Sequence, residues 1–205
     1  MRNAFGVVDE FERRVAEFAG AKYGVAVDCC TSALFLSMKF CKVEQGPSVQ
    51  VPSRTYVSVP MAVLHAGGLL MLEDRKWRGV YQLSPYPIFD GAKRFRRGMY
   101  EGGLHCLSFH TKKILNIGRG GMILTDDADA VRWLKRARYD GREEKHYGSG
   151  EITTLGWHVY MMPDQAARGL YLLDQLQDNT PDQEEDYPDL RSMPVFSDIQ
   201  MMEAA

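Results

Sequence analysis

The chain has 205 residues, 45% of them hydrophobic, enough for one substantial core. Lys and Arg total 25 against 27 for Asp and Glu, and the formal charge of -2 gives no bulk attraction to nucleic acid or an anionic membrane. No apolar run approaches a bilayer span, which predicts a cytoplasmic protein, and neither the four cysteines nor the five histidines show ligand spacing, so no metal is expected.

In chain order, Asp9 is placed to cap a helix with the apolar face Phe11, Val15 and Phe18, and Gly20 ends it. Tyr23–Val27 reads as a strand. Leu34, Met38 and Cys41 recur at helical spacing within residues 31–42, and 48–51, ahead of Pro52, reads as a second strand. A helix over 56–66, broken only by Pro60, precedes a buried strand at 69–72. No period is evident from 74 to 87, an irregular connection, and the strand after it ends at Asp90. Strands at 104–109 and 122–124 flank a turn-rich stretch. A basic amphipathic helix over 129–138 and a final helix over 164–176 follow. The alternation predicts an α/β fold with a mostly parallel sheet flanked by helices. Beyond Gln177, acidic residues crowd around Pro181, Pro188 and Pro194. The expected organisation is therefore one domain over 1–177 and a short acidic tail over 178–205, disordered or draped over a neighbouring surface.

In such a sheet ligands sit beyond the carboxyl ends of the strands. After Val27, Thr31 and Ser32 open a helix whose free N–H groups can hold a phosphate, although the same pair can serve as an ordinary cap. After Val51, Pro52-Ser53-Arg54-Thr55-Tyr56 sets an aromatic ring at a helix start. Asp90-Gly91-Ala92-Lys93 puts a carboxylate at the end of an apolar strand. Ser108-Phe109-His110-Thr111-Lys112-Lys113 leads to Gly118-Arg119-Gly120-Gly121, so Lys113 lies between two strands. That glycine cluster precedes a strand, which argues against a nucleotide-binding loop.

Together and in this order, these segments resemble the DegT/StrS family of nucleotide-sugar aminotransferases, which depend on pyridoxal 5′-phosphate (PLP) and have the aspartate-aminotransferase fold, fold type I. The resemblance runs from about Phe11 to Leu176 and includes residues 9–12, 20–27 and the Gln165-Ala166-Ala167 helix. It implies Lys113 as the Schiff-base lysine and proton carrier, with Asp90 against the pyridinium nitrogen. It further implies Tyr56 on the ring face, Thr31, Ser32 and Ser108 at the phosphate, and Lys93 beside the phenolate. The family's Gly-x-Asn stretch, which reaches the phosphate from the other subunit, is matched by Gly156-Trp157-His158, so His158 becomes a donor and a homodimer with a shared active site is expected.

The implied reaction moves an amino group from an amino acid, by resemblance glutamate, to a nucleotide-linked keto sugar. Cys30 replaces a family glycine, Arg119 a glutamate and Tyr160 an arginine. The tail stands in place of a small domain. These departures leave a second reading, a degenerate, non-catalytic protein that binds PLP or a partner.

Overall fold

A computed structural model describes residues 4–144, 151–184 and 186–196; His146, Glu185 and the tail beyond 196 lie outside the described residues. The first helix, α1 (Gly6–Ala19), buries Val8, Phe11, Val15 and Phe18 on one face and stops at Gly20, whose φ of 86° suits a residue without Cβ. Asp9 is not its cap. The helix starts earlier, at Phe5, and Asp9 sits in the first turn, where the helix dipole favours its charge and Lys135 pairs with it at 2.9 Å.

There follow β1 (Tyr23–Val27), α2 (Cys30–Phe40), β2 (Val49–Pro52), α3 (Ser58–His65) and β3 (Leu70–Glu73). The connection expected to be irregular contains β4 (Tyr81–Gln82), ahead of β5 (Ile88–Asp90). The remaining elements are β6 (Leu104–Ser108), β7 (Gly121–Thr125), α4 (Ala128–Ala137) and α5 (Pro163–Leu173). Asp127 caps α4, accepting hydrogen bonds from the N–H groups of Asp129 and Ala130.

The α/β architecture expected from the sequence is present, with a mixed sheet. Five strands run in the order β1-β7-β6-β5-β4, and β2-β3 form a parallel pair joined to them by the bridge between Gln50 and Ser84. β5 and β6 are parallel, whereas β4/β5, β6/β7 and β1/β7 are antiparallel. The short 83–87 turn between β4 and β5 permits only antiparallel neighbours. Alternate residues of β1 and β7 feed two cores. Val25, Val27 and Ile123 join α2, α3 and α4, while Ala26, Met122 and Leu124 join α1 and α5.

Glu12 of α1 and Arg138, just past α4, form a buried ion pair. Glu12 Oε1 also accepts the Ala26 N–H at 2.8 Å, and Arg138 donates to the Ala26 carbonyl and, at 2.8 Å, to Glu144. One cluster thus ties α1, β1 and α4 together. Replacing Glu12 by Ala leaves Arg138 buried without its main counter-charge, so stability should fall by about 3–5 kcal/mol in chemical denaturation.

His105 of β6 is also buried; its Nε2 has no hydrogen-bond partner among the described residues. Burial, with the Arg94 charge adding to it, holds its pKa down to about 4. The unfolded chain binds this proton more readily, so stability should be lost as pH falls from about 6.5 to 4, by roughly 3 kcal/mol from this group. Thermal melts across that range should flatten in His105→Leu.

Candidate active site

The antiparallel pairing of β7 with both β1 and β6 makes β1 and β6 run alike, and β5 is parallel to β6. The antiparallel bridge between Gln50 and Ser84, just beyond β4, gives β2 the same direction. The carboxyl ends of β1, β2, β5 and β6 therefore open on one edge. The segments singled out in the sequence all leave from that edge.

Asp90 ends β5 with only 5% of its surface exposed. Its Oδ1 accepts the Ala92 N–H at 2.9 Å, and its Oδ2 accepts the Tyr81 hydroxyl at 2.8 Å. Tyr81 is in turn 2.7 Å from the Thr55 hydroxyl, which donates when the Tyr81 proton goes to Asp90. Burial pushes the Asp90 carboxyl above the usual carboxylate range, while these two hydrogen bonds and the charges of Lys113 and Lys93 pull it back. A carboxylate shielded from water thus lies within the field of both lysines that the sequence placed around it. Lys113 is half-buried on a turn closed by its N–H to the His110 carbonyl at 2.8 Å, whereas Lys112 is exposed.

The start of α2 lies at the same edge, close enough for Cys30 to feel the charges of Asp90 and Lys113. The Cys30 thiol is pushed well above its ordinary pKa by burial and then by the Asp90 charge, with Lys113 opposing. No side chain caps α2. Ser32 instead meets Cys29 at 3.3 Å and Thr31 meets Ser58 at 2.8 Å, which leaves the first-turn N–H groups for an anion. Across this turn, a Cβ on Gly121 would lie 2.5 Å from the Cys29 carbonyl carbon, so β7 can approach only with glycine there. Ser108 pairs with Gly121 in the β6/β7 ladder, at the same edge.

Tyr56 presents a 57% exposed ring. Lys93 Nζ donates to the Glu184 carbonyl at 2.8 Å and stands 5.1 Å from the centre of the Tyr187 ring. His158 stands apart. Its exposed side chain meets Asp140 at 3.0 Å and packs edge-on against Tyr160. Sequence reasoning missed Thr55, Tyr81 and Tyr187. Tyr81 lies in a two-residue strand, too short for alternation to show, although its register partner is Asp90 itself. The only available signal for Tyr187 was its aromatic character amid acidic residues.

A family model described as the DegT/DnrJ/EryC1/StrS aminotransferase family matches residues 4–76 and 96–193. The chain belongs to this family. It is 26% identical to the spore coat polysaccharide biosynthesis protein SpsC of Bacillus subtilis and 26% identical to the GDP-perosamine synthase of Caulobacter vibrioides. Each match covers 83% of this chain and 57% of the relative, so the chain spans under two thirds of the length of these curated relatives. A DegT/DnrJ/EryC1/StrS aminotransferase structure from Brucella abortus superposes with a TM-score of 0.71 at 20% identity, over 82% of this chain and 58% of the other. The fold is that of PLP fold type I.

Within this DegT-family chain, the unmatched segment 77–95 contains Tyr81, Asp90 and Lys93. Of these, Asp90 feels the charges of both Lys113 and Lys93. Because the folded state binds the Asp90 proton more tightly than the unfolded chain, stability of the cofactor-free protein should decline as pH rises above the ordinary carboxyl value of 3.8. Asp90→Asn should therefore raise the melting temperature of cofactor-free protein at neutral pH while weakening cofactor binding. Differential scanning calorimetry with and without PLP separates the two effects, and an unchanged or lower cofactor-free melt would contradict the burial argument.

Proposed function

We propose that the chain holds PLP on Lys113 and transfers an amino group from an amino-acid donor, glutamate by family resemblance, to a nucleotide-linked keto sugar. The observation that carries this reading is the buried Asp90 carboxylate under the charge of Lys113, at the edge where the uncapped start of α2 opens. The names of the relatives support the substrate class. One is a GDP-perosamine synthase, and a dTDP-3-amino-3,6-dideoxy-α-D-galactopyranose transaminase of Aneurinibacillus thermoaerophilus is 37% identical over 83 residues, 40% of this chain and 23% of that protein. A fold neighbour, NtdA of Bacillus subtilis, was crystallised with bound PMP and superposes with a TM-score of 0.69 at 18% identity, over 83% of this chain and 48% of the other.

The residues present fit such a cofactor. The α2 N–H groups near Thr31 and Ser32, with the Ser108 hydroxyl, suit a phosphate. Asp90, ionised once it faces a protonated ring nitrogen, keeps that nitrogen charged. Tyr56 covers a ring face from water, and Lys93 offers a cation to an ionised ring oxygen. When bound, PLP supplies an electron sink for the carbon that loses its proton. Lys113 Nζ would be the amine that holds it, and as a free amine would be the base that takes a proton and returns it.

Tyr81 acts through Asp90: its hydroxyl fixes one carboxylate oxygen and leaves the ionised form better tolerated than burial alone allows. In the two-fold dimer that completes this reading, His158 is the donor offered to the partner's phosphate site.

Mixed with PLP, the wild-type protein should turn yellow and elute at twice the chain mass on gel filtration. Lys113→Ala should abolish the colour, whereas Lys112→Ala should keep it. Glutamate should then bleach the visible band. A yellow protein that no amino donor bleaches supports the binding-only reading instead.

A further inference from the structure

The acidic tail does not trail from the domain. Residues 178–184 and 186–196 run back across the cofactor edge and touch three of the loops that leave it. At the entry, Arg97 donates its N–H to the Asp178 carbonyl at 2.9 Å. Asp182, with 8% of its side chain exposed, receives both arms of Arg94, at 2.8 and 2.6 Å. It also packs so closely on Gly79 that a Cβ there would lie 2.3 Å from its carboxylate.

Over the β5 loop, the Gln183 N–H meets the Lys93 carbonyl at 2.9 Å and the Glu184 carbonyl receives Lys93 Nζ. Over the β6 loop, Gln183 Nε2 donates to the Lys112 carbonyl at 2.9 Å, next to Lys113. Over the β2 loop, the Leu190 N–H reaches the Ser53 carbonyl at 2.9 Å. Leu190 and Phe196 then enter the core, only 3% and 1% exposed.

Between these anchors Tyr187 joins an aromatic group. Its ring centre lies 6.3 Å from Tyr56 and 6.5 Å from Trp77, nearly parallel to the latter at 15°. Gln183 Oε1 is buried without a hydrogen-bond partner among the described residues. The grip falls on Gly79, Lys93 and Arg94, all inside segment 77–95, which the family model passes over. The unmatched connector and the tail are thus packed as one unit.

We propose, building on the function above, that residues 182–184 and 186–190 form an intrachain strap that walls the open side of the cofactor cleft and holds Lys93 toward the cofactor, with Tyr187 as its cleft-facing ring. The Glu184 carbonyl and the Tyr187 face are acceptors for a cation. They fix an ammonium that a free lysine would leave in solvent. The strap also sets the Tyr187 ring beside Tyr56, so it acts on how long the cofactor stays and on the charge the cofactor feels.

The test compares PLP-loaded wild type, Tyr187→Ala, Asp182→Ala and the swap of Arg94→Asp with Asp182→Arg, following loss of the visible band after transfer to excess cofactor trap. Both single variants should release PLP faster, Asp182→Ala by about tenfold on loss of a bidentate charge-assisted pair, and the swap should return release toward the wild-type rate. Tyr187→Ala and Lys93→Gln should also raise the pH midpoint of the visible band, because a cation near the phenolate is displaced or lost. A strap that serves only the fold would leave that midpoint unchanged.

Equal release rates in all variants would overturn the strap and leave cofactor binding standing. Slower release from Tyr187→Ala would place the ring in the cofactor's own position and overturn it too. A wild type that never turns yellow removes the proposed function and the strap together. Should Asp182→Ala fail to fold, Tyr187→Ala decides, since it leaves the anchors at both ends intact.

Discussion

A carboxylate cut off from water must be compensated or it takes up a proton. Asp90 sets this condition at the centre of the molecule, and much of the surrounding architecture can be read as the response to it. The Ala92 amide and Tyr81 hydroxyl each give one hydrogen bond to its oxygens, and two lysines lend positive charge from neighbouring loops. Such a group can be supplied only where several strands end together. β7, antiparallel to both its neighbours, makes β1, β5 and β6 run in one direction without a helical crossover between each pair.

Much of this was legible from residue order. The strands before Asp28, Ser53, Asp90 and Phe109 read as apolar runs, and the sheet topology gathers the residues after them on a single edge. Helix faces such as Phe11, Val15 and Phe18 were visible because burial on one side enforces the helical period. What was not legible depended on contacts between distant segments. Tyr81 sits on a strand with no room for a pattern, and its role exists only because β4 lies antiparallel to β5. Asp9 looked like a cap because local chemistry favours that place, but the α1 face continues through Val8 toward Phe5, so the first turn forms earlier. The tail read as either disordered or draped over a neighbouring surface, because composition reports only what a segment can bury by itself. Its order comes from Arg94, Ser53 and a core that accepts Phe196.

Segment 77–95, which the family model passes over, packs against the residues beyond α5. The connection between β3 and β5 sets Trp77, Gly79 and Arg94 on the rim, and the residues beyond α5 fill that rim. Charge dictates the match, since an acidic segment passes over Arg94, Arg97 and Arg54. Asp178, Asp182 and Asp189 of the tail thus pair with arginines of the same chain.

The close approach of β7 to the start of α2 carries a different consequence. With Gly121 against the Cys29–Cys30 peptide, sheet and helix meet backbone to backbone, and no side chain lies between them to act as a cushion. A displacement of β7, from either core, is transmitted directly to the amides that would grip an anion. The rigidity of the anion pocket is therefore inherited from the most deeply buried strand of the sheet, and divergence elsewhere on the surface can proceed without loosening it.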